Sequence, residues 1–170
     1  MCFLIICYGV FVTSPIPTDD VSAAVDRLRE SGLGDELSFL LARTNALSLA
    51  AGNVALAAHG LRVRSYSVLA LAASGERPSQ RELADFLRLD PSQVVALIDE
   101  LQADGLVERQ PDPRDRRANV VVATDAGVRL HRIAHHSARA AEERLYSVLD
   151  EETRSHLAAI LREVAFTPRG

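Results

Sequence analysis

SQRELADFLRLDPSQVVALIDELQADGLVERQPDPRDRRANVVVATDAG, residues 79–127, changes its grammar twice, and those changes decide the fold. Ser79 stands three residues before Glu82. That is a capping box: the hydroxyl accepts a backbone N–H of the new helix while the carboxylate accepts the N–H of the cap. A helix follows over 80–87, with Leu83, Ala84 and Leu87 on its apolar side. Arg88-Leu89-Asp90 makes a short turn. Asp90-Pro91 then opens a second helix: Asp suits the cap, and proline suits the first helical position, where no N–H is needed. This helix runs to 103 with Val94, Leu97, Ile98 and Leu101 inward, and Gly105 ends it. Then the period becomes two. Residues 106–109 read as a strand, 110–119 as a polar, arginine-rich loop, and Val120-Val121-Val122 as a second strand.

Helix, tight turn, helix and two-stranded ribbon form a winged helix-turn-helix. In that arrangement the first helix braces the second, which is shaped for the major groove, and the ribbon tip reaches the minor groove or the phosphates. The rest of the chain supplies helices. Thr18 or Asp19 caps a short one over roughly 21–30, a long apolar one spans roughly 35–58, and His59-Gly60 stops it. Another covers 63–73. Thr124 caps a long helix over 125–149, and Asp150 caps a last one over 151–164. The expected fold class is therefore mainly α with a small β-hairpin wing. Its organisation is an N-terminal extension (1–17), N-terminal helices that belong to a dimerisation region (18–58), the winged domain (59–124) and C-terminal dimerisation helices (125–170).

Bulk composition agrees with a folded protein and leaves nucleic-acid binding to local charge. The 170 residues are 48% apolar and 25% charged, with a formal net charge of -4. A basic surface must therefore be local, and every basic residue is arginine, the side chain suited to bidentate phosphate and guanine contacts. The start, MCFLIICYGVFV, holds both cysteines, Cys2 and Cys7. It reads as a loose extension, as a segment packed on a dimer partner, or as a membrane or secretion signal; it is too short to span a bilayer. With no paired metal pattern around them, the cysteines imply neither a zinc site nor a disulfide framework, which fits a reducing cytoplasm. No glycine-rich phosphate loop, nucleophile elbow or paired metal motif is present, so no enzyme, cofactor or metal is expected.

At the wing, Asp115 and Arg117 form an Asp-x-Arg pair and Thr124 follows after a short spacer. Gly105-Leu106-Val107-Glu108-Arg109 leads in, and Leu101 closes the preceding helix. On these residues the chain resembles the MarR (multiple antibiotic resistance regulator) family, whose spacer ends in Leu-Thr; Ala123 stands here where leucine is usual. The resemblance covers roughly 37–164. It implies a homodimer with interlocked terminal helices and a pseudo-palindromic operator in double-stranded DNA. It further implies repression and, in many members, release of DNA when a small phenolic or anionic effector enters a pocket between the two regions. Other members sense oxidants through cysteine, and a subset carries an extra N-terminal helix.

Candidate DNA contacts on the second helix are Ser92, Gln93, Val95 and Ala96. Gln93 matches adenine edges, Ser92 a phosphate or base, and Val95 or Ala96 a thymine methyl. The family often places a basic reader near Ala96 and another near Glu100; this chain has neither, so affinity leans on Arg81, Arg88 and the wing arginines Arg114, Arg116 and Arg117. Those three suit a narrow, negative minor groove, the alternative being a solvated loop. Asp115 is read as a wing-positioning residue that holds a neighbouring arginine. Arg43 and Arg62 are candidate anion-binding groups for an effector, against the alternative of surface salt bridges. His131, His135 and His136 are read as solvated or interfacial, with metal sensing as the competing reading. The functional expectation is a cytoplasmic, ligand-released transcriptional repressor. The alternative is a winged-helix protein-interaction module without DNA binding, which the acidic second helix would favour.

Overall fold

The computed structural model describes residues 18–112 and 118–167. They form α1 (Thr18–Arg29), a 3-10 turn (Gly32–Asp35), α2 (Leu37–Ala57), α3 (Val63–Ala72), α4 (Gln80–Leu87), α5 (Pro91–Ala103), β1 (Val107–Pro111), β2 (Asn119–Ala123), α6 (Asp125–Leu145) and α7 (Glu151–Phe166). The chain divides into two compact units, Met1–Thr44 and Asn45–Gly170.

In the first unit, Ser31 closes α1 through its hydroxyl, which donates to the Leu28 carbonyl at 2.6 Å. The tight turn after it needs glycine at 34, because a Cβ there would come within 2.1 Å of the Arg29 carbonyl oxygen. Thr18 and Asp19, expected as caps, are themselves helical.

The second unit holds the core. Leu56, Leu61, Val68, Leu69, Ala72, Leu83, Ala84, Val94, Ile98, Leu101, Val107, Val121 and Ala134 form one buried cluster. Each fully buried Leu, Ile or Val contributes about 1.5–3 kcal/mol of burial free energy. The apolar positions come from the end of α2 and the loop after it, α3, α4, α5, both strands and α6, so the winged motif is built around one shared core.

Local signals place the boundaries. The Ser79–Glu82 box is complete: Glu82 N donates to Ser79 Oγ at 3.2 Å and Ser79 N to Glu82 Oε2 at 2.7 Å. Asp90 accepts from Ser92 N, Thr124 Oγ1 from Gly127 N, and Asp150 from Thr153 N, opening α5, α6 and α7. Gly60 and Gly105 close α2 and α5 at φ of +68° and +69°. Besides the starts of α1 and α2, which fall at Thr18 and at Leu37 rather than near 21 and 35, two boundaries in this unit differ from the sequence reading. The hairpin is longer, with Gln110 paired to Val120 and Pro111 to Asn119. The strand-forming valines extend the ladder into residues whose polarity suggested loop. Helix α6 stops at Leu145 rather than near 149, because Ser147 turns its hydroxyl back to the Arg144 carbonyl at 2.9 Å.

The wing is anchored at both ends. Val121 N donates to Pro78 O at 2.8 Å, so the segment before α4 lies along β2. At the other end, α6 passes so close to the wing root that a Cβ on Gly127 would meet the Leu106 carbonyl oxygen at 2.0 Å. Gly127→Ala is therefore expected to destabilise the protein by about 1–3 kcal/mol, the usual cost of forcing extra volume into a packed site. Urea unfolding followed by circular dichroism measures this, and an unchanged midpoint would show that the close approach is not required.

Candidate nucleic-acid interface

Helix α5 is held from below and open above. Val94, Ile98 and Leu101 are buried, while Ser92, Gln93, Val95 and Ala96 are exposed on the opposite side. The four candidate readers therefore share the free face. Their chemistry is not equally free. The Ser92 hydroxyl donates to the Asp90 carboxylate, which is held below its ordinary range first by that bond and then by the Ser92 backbone N–H. Ser92 is left as an acceptor only. Gln93 has no side-chain hydrogen bond among the described residues, so both its donor and acceptor are available.

Arg81 projects from the first turn of α4, with 92% of its side chain exposed and only a loose 4.0 Å contact to Asp85. Arg88 ends α4 in the left-handed conformation, φ +53°, and is exposed in the turn before α5. Both cations flank the recognition helix. Arg114, Asp115, Arg116 and Arg117 lie outside the described residues; β1 and β2 lead to them, with Asp112 N donating to Ala118 O at 2.9 Å.

A further arginine, Arg109, has a role that the sequence did not indicate. From β1 its guanidinium donates to Gln102 Oε1 at 2.8 Å, to Asp99 Oδ1 at 2.5 Å and to Gln80 Oε1 at 3.3 Å. It clamps the wing to α5 and α4 and neutralises one of the two acids on the recognition helix. Asp99 read as ordinary helix surface because its partner lies on another element. Nearby, Arg77 donates from the α3–α4 loop to Gln110 at 2.8 Å, a second tie to β1. A double-mutant cycle on Arg109→Ala and Asp99→Ala is expected to give a coupling of about 0.5–1 kcal/mol, limited because the Asp99 side chain is 60% exposed. Additive effects on thermal unfolding would dissolve the clamp.

Between α3 and α6 lies an aromatic and imidazole cluster. Tyr66 stacks on His131 with centroids 5.7 Å apart and shares a 3.0 Å hydrogen bond with His135 Nδ1. His59 Nε2 pairs with Ser137 Oγ at 2.8 Å. Among the described residues no group of three or more His, Cys, Asp or Glu side chains could hold a metal ion. Burial, and secondarily His135, hold the His131 imidazole below its ordinary 6.5. The unfolded chain then takes up this proton more readily than the folded one. The associated stability is complete above the unfolded value and declines as pH falls below it. His131→Phe keeps the stacked ring and should flatten that part of the decline between pH 7.5 and 5.5 in thermal melts; an identical slope would remove His131 as its source.

Two cavities flank the junction of α2 and α3. One, of about 250 Å³, opens among Ser48, Gly52, Tyr66, Ala138, Glu142 and Tyr146, with α6 as its far wall. The other, of about 540 Å³, lies toward α5, among Asn53, Arg62, Val63, Arg64, Leu97 and Glu100. Arg62 thus stands at a cavity, while Arg43 is exposed in the first unit.

Brace helix, recognition helix and paired wing define a winged helix-turn-helix protein. The MarR family's model matches residues 59–118, across the winged domain, and a MarR family regulator 40% identical over nearly its whole length shows that the chain belongs to that family. A MarR family transcriptional regulator from Rhodococcus sp. RHA1 is 40% identical, with a TM-score of 0.76 over 81% of this chain and 99% of that one. CouR from Rhodococcus jostii RHA1, solved bound to p-coumaroyl-CoA, is 37% identical with a TM-score of 0.73, covering 82% of this chain and 99% of its own. A structure of the transcriptional repressor CouR on a 23-mer DNA duplex aligns at 27% identity with a TM-score of 0.72, over 79% of this chain and 96% of that one. The HTH-type transcriptional regulator BilQ of Clostridium symbiosum is 30% identical over 95 residues, which is 55% of this chain and 66% of that protein.

Proposed function

We propose that this chain is a homodimeric, sequence-specific DNA-binding transcriptional repressor that leaves its operator when a small molecule binds. The observation that carries the reading is the exposed face of α5, with Ser92, Gln93, Val95 and Ala96 uncovered beside a wing tied down by Arg109. A helix presented in this way fits the major groove, and Arg81, Arg88, Arg114, Arg116 and Arg117 supply the cations for phosphates and the minor groove. Asp115 is proposed as the wing-positioning residue, to hold Arg117 or a neighbouring arginine through a charge-assisted hydrogen bond. The DNA-bound CouR structure supports the same use of the fold. The reading includes no catalytic step.

Dimerisation follows from what α7 leaves uncovered. None of its residues is buried within the chain, and Ile160, Leu161, Val164 and Phe166 are exposed along it, as are Val128 and Ile133 on α6. A second copy covers this surface and sets the spacing of two recognition helices, about 34 Å apart on a pseudo-palindromic site. Helix α2 is long and apolar enough to cross a membrane by length and composition alone. In this reading it serves the dimer instead, and the protein is cytoplasmic.

The effector enters at the α2–α3 junction, where the cavities lie. Arg62, at the larger cavity, suits an anionic group. The p-coumaroyl-CoA complex of CouR supports ligand control in a similar protein. An alternative reading, a winged-helix interaction module without DNA binding, draws on the acids Asp99 and Glu100; the Arg109 contact neutralises the first of them.

Salt titration separates the two readings. Affinity for duplex DNA should fall steeply with salt, the logarithmic slope reflecting the number of phosphates contacted. Arg117→Ala should weaken operator binding by about 1–3 kcal/mol with the circular dichroism spectrum unchanged. No measurable DNA binding at low salt would favour the interaction module, and wild-type affinity in Arg117→Ala would remove the wing from the interface.

A further inference from the structure

The two cavities at the junction differ in charge. The larger one carries Arg62 and Arg64 against the single carboxylate of Glu100. The smaller one has Glu142 as its only charged lining residue, and Glu142 has no ion-pair partner among the described residues. Its other polar groups are the hydroxyls of Ser48, Ser67, Tyr66 and Tyr146. The remaining walls are apolar, among them Leu56, Val63 and Leu145. Tyr66 has its phenol pKa raised by burial first and then by the negative charge of Glu142, so the carboxylate acts electrostatically across this cavity.

A carboxylate ligand placed here would meet Glu142 with no lining cation to offset the repulsion. An ammonium group meets the opposite conditions: a carboxylate, two tyrosine rings able to hold a cation over their faces, and hydroxyl acceptors. A volume of about 250 Å³ accommodates one ring and a short chain rather than a large conjugate.

We propose that the smaller cavity is a site for a small aromatic or aliphatic amine, bound as its cation with the ammonium at Glu142 and the apolar body against Leu56, Val63 and Leu145. This rests on the reading of the α2–α3 junction as the effector region and gives its smaller cavity a ligand class opposite in charge to the larger one. The ammonium pairs with an exposed carboxylate that has no ion-pair partner among the described residues, and Tyr66 is held by its hydrogen bond to His135 and its stack on His131, which leaves its other face for the cation.

Three probes of similar size separate charge from shape: phenethylamine, 2-phenylethanol and 3-phenylpropanoate, titrated calorimetrically into the full-length protein at pH 7.5. Phenethylamine is expected to bind about tenfold or more tightly than 3-phenylpropanoate, the factor that an interaction of this strength produces. Glu142→Gln should remove most of that preference while leaving 2-phenylethanol unchanged, and Ser48→Phe, which fills the cavity from α2, should weaken all three. Tighter binding of 3-phenylpropanoate, or an amine affinity unchanged in Glu142→Gln, with Ser48→Phe still blocking the probes, overturns the cation assignment and leaves the cavity as a ligand site. Probe binding indifferent to Ser48→Phe, or no binding of any probe at millimolar concentration, overturns the site itself. The larger cavity, and the broader effector reading with it, is tested separately by whether an anionic ligand binds and whether Arg62→Ala weakens it.

Discussion

The burial of Val94, Ile98 and Leu101 against the α3 side chains Val68 and Leu69 is the constraint on which the rest of the structure depends. A helix that reads DNA must be rigid on one side and free on the other. The apolar stripe of α5 meets the first requirement by joining the core that also holds Leu83, Val107 and Val121. Once that stripe is fixed, helical geometry determines which residues face outward. The brace, the wing root and the start of α6 then pack around a helix whose rotation is already set, and Gly127 lets α6 close against the wing without a side chain between them.

Electrostatics within the winged domain compensates for an unusual recognition helix. Asp99 and Glu100 would repel phosphates, and the chain as a whole is acidic. The guanidinium of Arg109 removes one of these charges while binding three side chains, two from α5 itself and one from α4. Charge neutralisation and wing orientation are thus one interaction. Of the candidate readers, Gln93 has no side-chain hydrogen bond among the described residues, whereas Ser92 gives its proton to the helix cap.

Much of this was legible in the sequence because it is local. Ser79 with Glu82, Asp90 with Pro91, Thr124 and Asp150 are caps that act within one helical turn, and each stands where a helix begins. The exposed face of α5 followed from its period. The limits of the hairpin did not, since Gln110 and Pro111 become strand only because Val120 and Asn119 lie opposite them. The end of α6 depended on a serine turning back to its own helix. The partners of Arg109 lie on other elements, across the turn into the wing or beyond it, and the histidines that adjoin Tyr66 are far from it in sequence, so no spacing rule within one element reaches them. The cavities are likewise products of packing: single side chains suggested a cation at Arg62, but not a neighbouring chamber with a lone carboxylate.

Val63 lines both chambers. It is also pressed by α2, for a Cβ on Gly52 would come within 2.6 Å of its Cγ2. With that side chain as a partition and the α2 backbone directly behind part of it, there is little room to yield. A guest swelling one chamber must push the partition toward the other or lift α2 away from α3. The two chambers therefore share a wall, and a change in the shape of one moves part of the lining of the other.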